Sequence, residues 1–105
     1  MTDPRNCLLA RLEKAHLLIG HDEPREHNAV RRKIADGFIA AYRRGEHQMH
    51  AAVLKELGRD ALQTFITFLV ERKRPRSETE AQMVVATIRL GLKALQEAGF
   101  GGATR

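Results

Sequence analysis

Apolar residues return at three- and four-residue steps along almost the whole chain, and six marks interrupt them: Gly20, Pro24, Gly45, Gly58, Pro75 and Gly99. That period is helical, and no stretch alternates apolar and polar residues as a half-buried strand would. The marks predict five helices, over about 4–19, 24–44, 46–57, 61–74 and 78–98.

Leu8, Leu12, Ala15 and Ile19 form the stripe of the first; Thr2 or Asp3 caps it, Pro4 suits its first turn and Gly20 closes it. The second carries Val30, Ile34, Phe38, Ala41 and Tyr42 on one side, widened by Ala35 and Ile39. Met49, Val53 and Leu57 align on the third, which Gly58 breaks ahead of a cap at Asp60. The fourth is apolar over more than half its circumference, through Leu62, Phe65, Ile66, Phe68, Leu69 and Val70. Such a helix belongs at the centre, covered by its neighbours. The fifth opens on a capping box, Ser77 and Glu80, in which each side chain satisfies an orphan amide of the other's residue. Val84, Ile88, Leu92 and Leu95 are its core stripe, and Gly99 followed by Phe100 fits a helix stop with an apolar contact behind it. The expected fold is an all-α, compact bundle of four to five helices: one domain over 1–100, with 101–105 as a flexible tail.

Composition adds limits. A chain of 105 residues with 43% apolar content supports one core without staples. There are four Phe, one Tyr and no Trp, so platforms for stacking bases are not expected. The single Cys7 excludes an internal disulfide and fits a reducing cytoplasm. Asp3, Arg5, Arg11, Glu13 and Lys14 break up any signal-peptide apolar region, and no long apolar run predicts a membrane span.

Charge changes the picture more. The formal balance is +5 and the pI about 10.0, which favours an acidic partner such as nucleic acid or an acidic protein surface. Three basic groups carry it: Arg31-Arg32-Lys33, Arg43-Arg44 and Arg72-Lys73-Arg74-Pro75-Arg76. On the second helix Arg25, Arg32 and Arg43 fall within about 20° of one line, interrupted by Asp36. The candidate contacts are therefore Arg25, Arg32, Arg43, Arg44, Arg72, Lys73, Arg74 and Arg76. The last group also sits at a helix C-terminus, where cations are favoured for structural reasons alone. A helix-turn-helix around Leu54-Lys55-Glu56-Leu57-Gly58 fails on chemistry: its reading helix would be Phe65-Ile66-Thr67-Phe68-Leu69-Val70, which calls for burial rather than base edges. On the fifth helix Thr87, Gly91, Ala94 and Ala98 form a strip of small residues, a candidate homodimer contact or an internal one.

Five histidines are the remaining candidates for chemistry: His16, His21, His27, His47 and His50. Glu13 with His16 and His47 with His50 are three apart, and Glu23 with His27 four apart, so convergence of His16, His47 and His50 would make a metal site. The di-iron pattern needs a second Glu-x-x-His and two further glutamates, and the zinc patterns need cysteines or His-Glu-x-x-His. No metal or cofactor is therefore expected, and His16 and His50 read as boundary residues with an apolar body and a wet tip. His16-Leu17-Leu18-Ile19-Gly20 resembles the His-x-Leu-Lys-Gly of histidine phosphotransfer domains, which are helical bundles; Ile19 stands where that pattern has lysine. The resemblance covers five residues and implies His16 as phosphoacceptor. No nucleophile has a partner: Cys7 has no histidine at fixed close spacing, Ser77 belongs to a cap, and Asp22 with Glu23 suits the start of the second helix. The expected function is a small non-catalytic binding or regulatory protein that presents basic helix faces to nucleic acid. The alternatives are a protein-interaction module (inhibitor, antitoxin or chaperone-like) that masks a partner, and a helical-bundle His/Glu metal or phosphotransfer site.

Overall fold

Two aromatic rings hold the centre of the molecule. Phe38 and Phe65 meet edge to face with centroids 5.2 Å apart, and Gly91 lies so close to Phe65 that a Cβ there would collide with the ring. These residues come from three helices of an all-α bundle. In the computed structural model, which describes residues 8–100, α1 covers Leu8–Lys14, α2 Glu26–Arg43, α3 Gln48–Leu57, α4 Arg59–Phe65 and α5 Glu78–Glu97. A π-helical turn over Ile66–Val70 continues α4 directly. No strand occurs among the described residues, and no helix there is long and apolar enough to cross a membrane. The expected turns at 4–7, Cys7 and the tail at 101–105 lie outside the described residues.

The apolar stripes bury as their spacing requires, except that Ala15, expected on the stripe of the first helix, lies past the end of α1 and is exposed. Ile34, Ala35 and Phe38 of α2, Leu62 and Phe65 of α4, and Val84, Ile88, Leu92 and Leu95 of α5 form one core with Leu9 and Leu12 of α1. α4 and its π turn touch all four other helices, which gives the greasiest segment the central place expected of it. At the end of α5, Gly99 takes φ +90, its N–H donates to Gln96 O at 3.0 Å, and Phe100 N–H donates to Leu95 O at 3.1 Å. That pair of bonds is the Schellman stop, and the left-handed conformation is why glycine stands there. Gly45 closes α2 with the same two bonds.

Four local expectations are corrected. α1 ends at Lys14, not near Ile19, because the Schellman bonds form around His16: Leu17 N–H reaches Leu12 O at 2.8 Å and His16 N–H reaches Glu13 O at 3.0 Å. The residue that closes the helix is His16, at φ +56, and not Gly20. Second, α4 and its π turn stop at Val70 rather than Arg74. The apolar run ends there, Pro75 disfavours helix at residue 74, and Arg72 turns the chain at φ +58 while Lys73 N–H donates to Thr67 O at 3.1 Å. Third, the residue before α4 is Gly58, and Asp60 lies inside the first turn instead of capping it. Fourth, the capping box is half formed: Ser77 Oγ accepts from Glu80 N–H at 3.1 Å, but Glu80 Oε1 accepts from Arg76 N–H at 2.8 Å.

Candidate functional site

Three of the four basic residues of the α4–α5 connection are gathered by the fold around one cleft, while Arg72 lines a separate small one with Arg32. Arg72, Lys73, Arg74 and Arg76 are all exposed. Lys73, Arg74 and Arg76 line a cleft of about 560 Å³ together with Gln63, Thr64 and Thr67 from α4 and its π turn. The early helix stop makes this arrangement: had α4 continued to residue 74, successive cations would have radiated around a helix instead of following one strand of chain. Their acidic neighbours hold them loosely, with Lys73 to Glu71 and Arg76 to Glu80 each at 3.7 Å. Exposed pairs at that distance are worth about 0–1 kcal/mol, so the ammonium and guanidinium groups remain open to a stronger anion. Thr64 donates to Asp60 O at 3.0 Å and Gln63 donates to Thr67 Oγ1 at 3.1 Å, both within the run of α4 and its π turn.

The arginine line on α2 is divided. Arg32, its middle member, is half-buried; its Nη1 donates to Glu13 Oε1 at 2.7 Å and its Nε to Asp36 at 3.3 Å. Arg25 lies at the far end beside the α1–α2 connection, and Arg43 is exposed at the C-terminal end. Arg44 pairs with Glu46 at 2.9 Å; the hydrogen bond raises the arginine's pKa and lowers the glutamate's, although both are exposed.

The small strip on α5 divides too. Gly91 is buried against Phe65 of the same chain, so its smallness serves internal packing and it is not open to a second copy. Thr87 and Ala94 are half-buried and Ala98 is exposed. Beside them, Met83 is 67% and Leu90 59% exposed, an apolar flank on the outer side of α5.

Histidines do not assemble a metal site. His47 and His50 meet each other with ring centroids 5.3 Å apart, and His50 stacks on Tyr42 at 6.0 Å. His16 instead sits with His21 beside the α1–α2 connection. Among the described residues no three His, Cys, Asp or Glu side chains come close enough to hold a metal. His16 stands past the end of α1 rather than on it, which removes the helical setting that the phosphotransfer resemblance implies.

Sequence reasoning missed Arg31. It is 1% exposed and fully engaged: Nε donates to Gln96 Oε1 at 3.0 Å, Nη1 to Leu18 O at 3.0 Å and to Glu23 Oε1 at 2.7 Å, and Nη2 to Glu23 Oε2. Glu23 Oε1 also accepts from Gly20 N–H at 2.7 Å. The Arg31 hydrogen bond holds the Glu23 carboxyl at about 2, against an ordinary value of 4.5. Asn28 and Arg89 complete the arrangement, donating to Glu13 O at 2.9 Å and to Leu17 O at 3.1 Å. Three carbonyls around the end of α1 are thus satisfied by side chains from α2 and α5. A signal was available: Arg31 is seven residues before Phe38, about 20° away on the helix, and so lies inside the apolar stripe.

No family model, no curated protein and no solved structure matches this chain.

Proposed function

We propose that this protein is a non-catalytic nucleic-acid-binding protein whose contact is the basic α4–α5 connection. The observation that carries the reading is the grouping of Lys73, Arg74 and Arg76 around one cleft with Gln63, Thr64 and Thr67. Cations beside hydroxyl and amide groups are the usual set for contacts to phosphate and sugar, which position a protein without reading sequence. The cleft also carries one aromatic ring, Phe68, and one carboxylate, Glu80, which accepts from Arg76 N–H, while the polar side chains of Gln63 and Thr64 hydrogen-bond within their own helical run. Binding on this reading follows the backbone and is indifferent to base identity.

The test is anisotropy of a labelled duplex and a labelled single strand at about 50 and 200 mM salt. If Arg72, Lys73, Arg74 and Arg76 each neutralise a phosphate on duplex DNA, the affinity falls about a hundredfold between those two salts. The Lys73/Arg74/Arg76→Ala variant loses most of both the affinity and the salt slope. No binding to either strand form at the lower salt rejects the reading.

A second reading, docking of an acidic or apolar protein partner, is favoured by the exposure of Met83 and Leu90. It separates from the first because Leu90→Lys abolishes partner binding, while the alanine triple leaves it intact.

A further inference from the structure

The cleft between the α1–α2 connection and α5 has no part in the reading above. It measures about 240 Å³, below the roughly 300–1,000 Å³ of sites for drug-sized molecules. His16, His21, Arg25 and Arg89 line it, with Gly20 and Glu23. Two arginines and two histidines therefore border a space too small for a drug-sized molecule. The carboxylate on its wall is already occupied: both oxygens of Glu23 accept from the buried Arg31, and one also accepts from Gly20 N–H. Its charge is balanced from behind, so it does not cancel the cations in front.

Arg89 is fixed in orientation. Its Nε donates to Leu17 O at 3.1 Å, and its two terminal nitrogens have no partner among the described residues. Arg25 has none there either, apart from its backbone carbonyl. His16 is held at φ +56, a conformation costly for any residue with a Cβ, and its exposed imidazole stands at the cleft.

We propose that this cleft binds a phosphate group, with Arg25 and Arg89 as the charged clamp and His16 and His21 as further N–H donors. A guanidinium presents paired donors that match two oxygens of a phosphate, and charge-assisted bonds of that kind are about twice as strong as neutral ones. An imidazole supplies one N–H when neutral and two when protonated. The proposal does not rest on the nucleic-acid reading, since the two sites share no residue.

The test is NMR of the full chain, following backbone amides and histidine rings during titration with sodium phosphate, with a nucleoside 5′-monophosphate, and with chloride at equal ionic strength. Saturable shifts confined to residues 16–25 and Arg89 are expected. Similar affinity for phosphate and the monophosphate identifies the free group as sufficient; a tighter monophosphate identifies an esterified phosphate as the source. Arg25→Gln and His16→Gly should each weaken binding about tenfold or more. These variants are chosen because Arg89 also supports Leu17 and its loss would disturb the connection itself. Shifts no larger than those with chloride overturn the proposal. So does saturable binding that both variants leave unchanged, or binding centred on residues 73–76.

Discussion

The two connections at 15–25 and 71–77 begin alike and end differently. Each leaves its helix through a non-glycine residue in the left-handed region, His16 at φ +56 and Arg72 at φ +58. The first is then held from three sides: Asn28 and Arg31 of α2 and Arg89 of α5 take the carbonyls of Glu13, Leu18 and Leu17. Leu18 and Ile19 bury within it. The second is held only through its backbone and by loose pairs: Ser77 caps α5, Lys73 N–H donates to Thr67 O at 3.1 Å, Arg76 N–H donates to Glu80 Oε1 at 2.8 Å, the ion pairs stand at 3.7 Å, and its cations face water. Similar basic residues thus have opposite roles. Where a chain turn is buried, an arginine completes the backbone's hydrogen bonds; where it is exposed, the charge stays available to a partner.

The largest effect that would break this comparison is the loss of Arg31. Arg31→Met leaves Glu23 without its counter-ion and Leu18 O without a donor, and such uncompensated burial costs about 3–5 kcal/mol. The matching change in the other connection, Arg74→Met, should stay within about 0.5 kcal/mol. Urea unfolding of both variants checks the contrast. Near-equal midpoints would mean that the first connection is no better anchored than the second.

Acid should dissolve the contrast next. The Glu23 carboxyl sits at about 2 when folded and near 4.5 when unfolded, so its folded pKa is lowered. Its contribution is fully present above pH 4.5 and is lost as pH falls from there through 2. At about 1.4 kcal/mol per unit this is up to about 3 kcal/mol, and Glu23 is only 19% exposed, so solvent screens it little. Stability measured from pH 6 to pH 2 should fall more steeply for the native chain than for Glu23→Gln. Parallel curves would show that the pair contributes nothing through ionisation.

The sequence made the periodic part of this fold legible because apolar spacing reports burial directly. The stripes of α2, α4 and α5, the central place of α4 and the Gly45 and Gly99 stops follow from residues near each other in the chain. The helix end at His16 does not: the α1 carbonyls are met by Asn28, Arg31 and Arg89 from distant parts of the chain, whereas the stop at Val70 had local signals, the end of the apolar run and Pro75 beyond it, that the count of helical steps overrode. The basic run at 72–76 was visible, but its grouping with Gln63, Thr64 and Thr67 arises only once the helix stops early. Arg31 shows the other failure. A charge run was read along the chain, whereas its position on the wheel placed it with Phe38 and Ile34.

The smallest effect sharpens the comparison most. A residue with a Cβ in the left-handed region costs about 1–2 kcal/mol relative to its helical form, while glycine's greater freedom when unfolded costs about 0.5–1 kcal/mol. Replacing His16 or Arg72 with Gly should therefore raise stability by up to about 1 kcal/mol, read as a small rise in Tm. Neither imidazole nor guanidinium has a hydrogen-bonding partner among the described residues that would offset the gain. Equal gains mean that both turns are set by backbone geometry alone. A gain at Arg72 without one at His16 means that glycine's added freedom in the unfolded chain outweighs the relieved strain at the first connection. A loss at Arg72 would place a stabilising contact in the connection assigned to a partner, and the division between an anchored and an open segment would fail.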